Sequence, residues 1–120
     1  LASGAPLWMR AWLAYSDGDF VHSANLWKDA MRGVKPERRG GMHAERARSF
    51  AHAGLLDSAI ASQKEALAIA EKRDKEKLES IRDSRAEREF VLGALLAGRG
   101  DTAGAREAYQ RALTEDLGYY

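Results

Sequence analysis

The apolar residues of this 120-residue chain recur mainly at helical spacing, and few stretches alternate with the period of a β-strand. The clearest pattern lies at residues 90–114, where a glycine-rich corner at Gly98 and Gly100 separates two apolar stripes. The second stripe has the i, i+4, i+7, i+8 spacing of a buried helix face: Ala105, Tyr109, Ala112 and Leu113. Gly93 and Ala105 are small enough to let two antiparallel helices approach closely, with Tyr109 and Leu113 filling the space beside them. The stretch therefore predicts a helical hairpin.

The same pattern occurs twice more upstream. Counted from Gly18, Gly54 and Gly100, the inward positions fall at offsets of five, nine, twelve and thirteen residues each time. The upstream copies place Ser23, Trp27, Ala30 and Met31, and then Ala59, Gln63, Ala66 and Leu67, at these offsets. Such internal repetition is typical of stacked helical hairpins. We therefore predict a single all-α domain of three repeats, at about residues 7–36, 40–72 and 77–114.

These patterns predict six helices. Pro6 suits the first helical position, because its missing N–H needs no partner there. The predicted bounds are Leu7 to Tyr15, Phe20 to Arg32, Met42 to His52, a fourth helix starting at an Asp57–Ser58 N-cap, a fifth ending near Ala97 and a sixth ending near Thr114. Residues 37–41 form a basic, glycine-ended linker.

The repeat resembles the tetratricopeptide repeat, in which a Gly-Asp-aromatic corner is followed by a small residue, an aromatic residue and an Ala-Leu pair. The matching residues are Gly18, Asp19, Phe20, Trp27, Ala30, Met31 and Pro36, then Ala47, Phe50, Gly54, Ala59, Ala66 and Leu67, and then Leu92, Gly93 and Leu96 before the third corner. The resemblance covers about residues 7–114. It implies a right-handed α-solenoid of three antiparallel helix-turn-helix repeats.

In the family that this chain resembles, the first helix of each pair lines a concave groove that holds peptides. The groove positions implied here are Trp8, Met9, Trp12, Tyr15, Ala44, Glu45, Arg48, His52, Phe90, Val91 and Ala94. Family members that bind chaperone tails clamp a terminal carboxylate with Lys, Asn and Arg. This chain has Trp8, Trp12, Glu45, Glu87 and Val91 at those places, so we do not expect that activity. A groove that is apolar at both ends, with Glu45 and Arg48 at its centre, suits an amphipathic helix or an apolar segment.

One departure from the family pattern is the spacing of the corners. Gly18 and Gly54 are 36 residues apart, but Gly54 and Gly100 are 46 apart, against a family period of about 34. The extra residues lie in the charged run at 70–89, where pairs such as Glu71 and Lys75 favour helix. Two lengthened helices with a tight turn near residues 74–77 would account for them. Alternatively, the fourth and fifth helices are fused, and the third hairpin is exchanged with a second molecule.

The first helix has apolar residues on all sides, with Arg10 as its one charged residue between Leu7 and Tyr15. Trp8, Trp12 and Tyr15 form an aromatic ridge, and a second stripe of Leu7, Ala11 and Ala14 suits packing on the second helix. The ridge is open to four interpretations: intramolecular core, a ligand groove, contact with a preceding repeat, or a self-association surface.

The sequence shows little sign of catalytic or metal-binding motifs. The three histidines, His22, His43 and His52, show no metal-ligand spacing. Asp17 and Asp19 do not continue as a calcium loop, because Lys28 stands where that loop needs an acid. No P-loop lysine follows the glycines at Gly98 and Gly100, and the chain contains no cysteine. We therefore expect no enzyme activity, no cofactor and no metal site.

The formal net charge of +1 gives the chain no general attraction to nucleic acid. Residues 28–48 nevertheless carry seven basic residues against three acids, and the patch centres on Arg32, Lys35, Arg38 and Arg39. It lacks the interleaved aromatic residues on which bases stack. A solvated face is favoured, with RNA or an acidic ligand as the alternative.

The sequence as a whole favours a protein–protein interaction module, a scaffold or adaptor that binds a peptide or helix of a partner of unknown identity. The alternative is a self-assembly module that forms a homo-oligomer through the Trp8/Trp12 face or by hairpin exchange. No apolar run is long enough to span a membrane, and no targeting segment is visible, which favours a cytoplasmic location. Because the chain starts LASGAPLW, without an initiator Met, we expect it to be part of a longer protein.

Overall fold

The computed structural model describes residues 4–77 and 82–119, and all the regular secondary structure in these ranges is helical. The helices are α1 (Leu7–Ser16), α2 (Phe20–Ala30), α3 (Gly40–His52), α4 (Leu56–Lys77), α5 (Arg82–Arg99) and α6 (Thr102–Tyr119). Two single 3₁₀ turns, Met31–Gly33 and Pro36–Arg38, connect α2 to α3. The prediction of an all-α chain is confirmed for the described residues.

Several predicted boundaries were wrong. The linker at residues 37–41 is largely helical, because one 3₁₀ turn reaches Arg38 and α3 already begins at Gly40. Asp57 lies inside the first turn of α4, and the backbone N–H of Ala59 bonds the Leu55 carbonyl, so Leu55 holds the N-cap position. α6 continues past Thr114.

The charged run forms parts of two long helices. α4 remains helical through Lys77, so the turn expected at residues 74–77 was wrong. α4 and α5 are separate helices that pack against each other, which contradicts the fused helix. Residues 78–81, which join them, lie outside the described residues.

The three glycine corners have the same geometry. Gly18, Gly54 and Gly100 have φ angles of 81°, 80° and 94°, in the left-handed region that glycine enters without steric cost. At each corner the glycine N–H bonds the carbonyl three residues earlier, and the next N–H bonds the carbonyl five residues before itself, at 2.9–3.1 Å. This pair of bonds is a Schellman motif, which satisfies the last carbonyls of the helix.

Each helix packs antiparallel on the next helix in the sequence. Ser23 Oγ of α2 donates to the Ala11 carbonyl of α1 at 2.7 Å, and Ser49 Oγ of α3 lies 3.1 Å from Ser23 Oγ. Further along, Gln63 Nε2 of α4 donates to the Arg88 carbonyl of α5 at 3.0 Å. The close approach predicted at Gly93 is present, because a Cβ there would lie 2.7 Å from the Tyr109 ring.

The core consists of three apolar clusters along the chain. The first joins α1 to α2, the second combines α2, α3, α4 and α5 around Phe50, and the third joins α4, α5 and α6. The predicted inward positions are buried in the first two repeats, apart from a half-buried Ala30. The third repeat differs: Ala105 and Ala112 are buried, but Tyr109 is 36% exposed and Leu113 is 58% exposed. The prediction that Leu113 fills the core was therefore wrong.

Candidate binding surface

The α1 helix divides into a buried and an exposed side. Ala11 and Ala14 are buried against Leu26 and Trp27 of α2, as predicted for this stripe. Trp8, Met9 and Trp12 are 49%, 41% and 52% exposed. The interpretation of Trp8 and Trp12 as intramolecular core was therefore wrong, although the edge of Trp12 contacts Trp27 at a ring-centroid distance of 6.4 Å. An exposed aromatic surface of this kind usually marks an interaction site.

Tyr15, the last residue of the predicted ridge, has a different environment. Its ring meets Phe20 and His52 edge-on, each at a centroid distance of 5.4 Å. His52 also stacks on Phe20 at 5.1 Å. Tyr15 belongs to α1 and His52 to α3, so these rings bring the two helices together on one side of the molecule.

A narrow cleft of about 180 Å³ lies between α3 and α5. Its walls include four of the predicted groove residues, Ala44, Arg48, His52 and Val91. Glu45 lies beside this cleft and pairs with Arg48, with a distance of 3.5 Å between Nη1 and Oε1. The first helices of the second and third repeats thus contribute side chains to one continuous depression, with a charged group at its edge.

Arg88 also lines this cleft, and the sequence reasoning missed it. It lies in the charged run at residues 70–89, whose charges were interpreted only as pairs that favour helix. Its Nε has no hydrogen-bond acceptor among the described residues. Burial lowers the pKa of Arg88, whereas the carboxylates of Glu87 and Glu45 act in the opposite direction. A half-buried guanidinium with an unused N–H is suited to donate a hydrogen bond to an oxygen atom of a ligand.

The predicted residues of α5 do not share one site. Val91 faces the cleft, Ala94 is exposed on the helix surface, and Phe90 packs on Tyr109 at a centroid distance of 5.4 Å. Phe90 borders a second depression of about 640 Å³, between α5 and α6. That depression is also lined by Tyr109, Ala112 and Leu113, which the sequence reasoning had placed in the core.

The basic patch is partly neutralised by its own surroundings. Arg32 pairs with Asp29 at 3.0 Å, and Arg39 Nε donates to the Val34 carbonyl at 2.7 Å. Arg46 Nε donates to the Ala24 carbonyl at 3.2 Å, and its guanidinium lies over the Phe50 ring. Lys35 and Arg38 are exposed. The cations of this patch thus divide into some that contact other groups of the chain and others, such as Lys35 and Arg38, that are exposed to solvent.

No metal-binding site is evident in the described part of the chain. Across residues 4–77 and 82–119, no group of three or more His, Asp or Glu side chains is placed to hold a metal ion. None of the described helices combines the length and apolar character needed to cross a bilayer.

The chain was also compared with known proteins. No protein-family model matches it, and no curated protein sequence matches it. The features of the molecule that point to a function are therefore the exposed residues of α1 and the cleft between α3 and α5.

Proposed function

We propose that this chain is an α-solenoid of three helical hairpins, similar to tetratricopeptide repeats, and that it binds a peptide or helix of a partner protein. The binding surface is the side formed by α1, α3 and α5. The observation that carries this proposal is the exposure of Trp8, Met9 and Trp12 on α1, the helix whose Tyr15 contacts His52 at the α3/α5 cleft. Antiparallel packing of each helix on the next also supports a solenoid, because solenoid repeats contact only their neighbours.

The chemistry of this surface defines the partner segment. The indole rings of Trp8 and Trp12 offer large apolar contacts, which are typical anchors of protein interfaces. Arg48 and Arg88 lie at the cleft and carry the charge that an acidic side chain would pair with. An amphipathic helix that presents apolar residues to α1 and an Asp or Glu to the cleft meets both requirements.

A selection from a displayed library of random 16-residue peptides tests this proposal. Enriched peptides should carry apolar residues and at least one acid, and they should bind the isolated protein in solution. Trp8→Ala and Arg48→Glu should each weaken binding by about tenfold or more, since each removes a contact worth about 1.4 kcal/mol. Both side chains are about half exposed, so the fold should be retained, as circular dichroism would verify.

Val21→Arg is a matched control for this experiment, because Val21 is 47% exposed on α2, outside the proposed surface. It should leave peptide affinity unchanged. Failure to enrich any peptide, or equal binding by the wild type and both surface variants, would contradict the proposed function.

A second candidate function is self-association through the same α1 ridge. The exposure of Trp8 and Trp12 favours it equally, because two copies could bury their indoles against each other. Such a symmetric contact gives a closed dimer, whose mass stops rising once all molecules are paired. Trp8→Ala would then abolish dimerisation, as measured by light scattering. Hairpin exchange has less support, since α4 packs on α5 of its own chain. RNA or acidic-ligand binding is likewise weaker, given the internal partners of Arg32 and Arg39.

A further inference from the structure

The contacts between successive repeats follow a fixed register. In each repeat, the residue five positions before the corner glycine lies on the first helix. This residue contacts the residue five positions after the corner glycine of the preceding repeat. At the first junction this pair is Ser49 and Ser23, which are both fully buried and lie within hydrogen-bonding distance. At the second junction it is Leu95 and Ala59, which are buried in one apolar cluster. The same positions are therefore used at both internal junctions.

At each end of the molecule, one apolar residue is exposed although its equivalents in other repeats are buried. Leu13 of α1 stands at the position of Ser49 and Leu95, yet it is 46% exposed, whereas Leu95 is 8% exposed. Leu113 of α6 stands at the position of Met31 and Leu67, which are 7% and 8% exposed, yet it is 58% exposed. Each end thus presents one half of a junction that is closed elsewhere in the chain.

The open end of the third repeat already has the shape of an acceptor site. A depression of about 390 Å³ is lined by Thr102, Ala105, Tyr109 and Leu113, among others. The equivalent surface on the first repeat includes Phe20 and Ser23, and there α3 covers it through His52 and Ser49. The register therefore indicates that this depression accepts an α-helix.

We propose that the occupant is α1 of a second copy of this chain, stacked head to tail. Leu13 of the second copy would lie over Ala105, which repeats the apolar Leu95/Ala59 pair of the second junction. Arg10 of the second copy would occupy the position of Arg46, whose side chain donates to the Ala24 carbonyl at the first junction. The matching carbonyl on α6 belongs to Arg106. Both contacts of the new junction thus have a precedent within the molecule.

This contact is heterologous, because the surface around Leu13 meets a different surface around Leu113. A heterologous contact that does not close into a ring produces an open chain of molecules. The weight-average mass should then rise continuously above the monomer mass of 13.2 kDa as the protein concentration increases. A symmetric dimer through Trp8 and Trp12 would instead reach a limit at twice that mass.

Two charge substitutions test the head-to-tail arrangement. Leu13→Arg blocks the α1 end, where it would face Arg106, and Leu113→Arg blocks the α6 end, where it would face Arg10. Both residues are exposed in the monomer, so both variants should fold. Each variant alone should remain a monomer in sedimentation velocity, whereas an equimolar mixture should form a 1:1 dimer through the two intact ends. Val21→Arg, with an exposure close to that of Leu13, should associate like the wild type.

A gain-of-function variant checks the register separately. Arg106→Glu would place a carboxylate beside Arg10 of the next molecule, so the association constant should rise. Any one of three results would overturn the proposal. The wild type could stay monomeric at all concentrations, the mixture of the two blocked variants could stay monomeric, or the association constant of Arg106→Glu could equal that of the wild type. Neither blocked residue lies on the peptide-binding surface proposed above. A failure to observe head-to-tail association would therefore not contradict peptide binding, and a failure to observe peptide binding would not contradict head-to-tail association.

Discussion

Replacing Gly93 by alanine should destabilise the protein, although the same change in an ordinary helix stabilises it. Gly93 is buried inside α5, where α6 passes close to its Cα. A Cβ at this position would lie 2.7 Å from both Cδ1 and Cε1 of Tyr109, well inside van der Waals contact. The Tyr109 ring would have to move away, and in doing so it would leave Phe90.

The net effect is a difference between two terms. Alanine is favoured over glycine in a helix interior by about 1 kcal/mol. Inserting a methyl group into a packed contact costs about 1–3 kcal/mol. This cost includes the loss of the aromatic contact between Tyr109 and Phe90, which is worth about 0.5–1.5 kcal/mol. We expect Gly93→Ala to lower the free energy of unfolding by about 1 kcal/mol, which corresponds to a decrease in Tm of about 4 °C for a chain of this size.

A double-mutant cycle tests the stated cause. In a Tyr109→Ala background the clash is absent, so Gly93→Ala should become stabilising by about 1 kcal/mol. Gly98→Ala is the matched control in the same helix, because its Cβ would meet only Leu56 Cδ1, at an ordinary 3.7 Å. Urea unfolding followed by circular dichroism gives the free energies of unfolding of the four proteins in the cycle and of the control. If Gly93→Ala stabilised the wild type as much as the Tyr109→Ala variant, the argument from close approach would be refuted.

Two further predictions concern charged groups. Arg111→Ala should destabilise the fold by about 2 kcal/mol, because it leaves a buried carboxylate unpaired: Glu89 is 4% exposed, and Arg111 Nε lies 3.1 Å from both of its oxygens. Arg32→Ala, which breaks an exposed pair, should change Tm little, and equal losses for the two variants would contradict the assignment. The pKa of His43 is lowered from 6.5 chiefly by burial, so the unfolded chain takes up the proton first as the pH falls below 6.5. Stability should therefore decrease as the pH falls below 6.5 and level off below the folded pKa; His43→Gln should show a shallower dependence in thermal melts, and an unchanged profile would refute this origin.

The sequence was sufficient to predict the helices and the corners, because glycine at a left-handed position and the apolar stripes are local signals. Gly18, Gly54 and Gly100 have the geometry that their spacing implied. The exposure of Leu113 could not be predicted in this way, since it depends on whether another helix covers α6.

The proposed surface was predictable only in part. Arg48, His52 and Val91 line one cleft and Tyr15 contacts His52, but Phe90 borders a different depression. Arg88 was missed because a charged run at helical spacing normally forms exposed pairs. Its burial results from α3 and α5 packing together, which no local pattern encodes.

Most of the helix packing joins helices that follow each other in the chain, and this has a mechanical consequence. In a globular core, pulling on one end strains contacts that are distant in the sequence, and the whole domain yields at once. Here a load on α6 acts first on α4 and α5, which share an apolar cluster with it, and it is passed on to α2 and α3 through the cluster around Phe50. The terminal hairpins can therefore detach one at a time while the middle of the chain stays folded. The cluster around Phe50 then determines how far unfolding that starts at either end can spread.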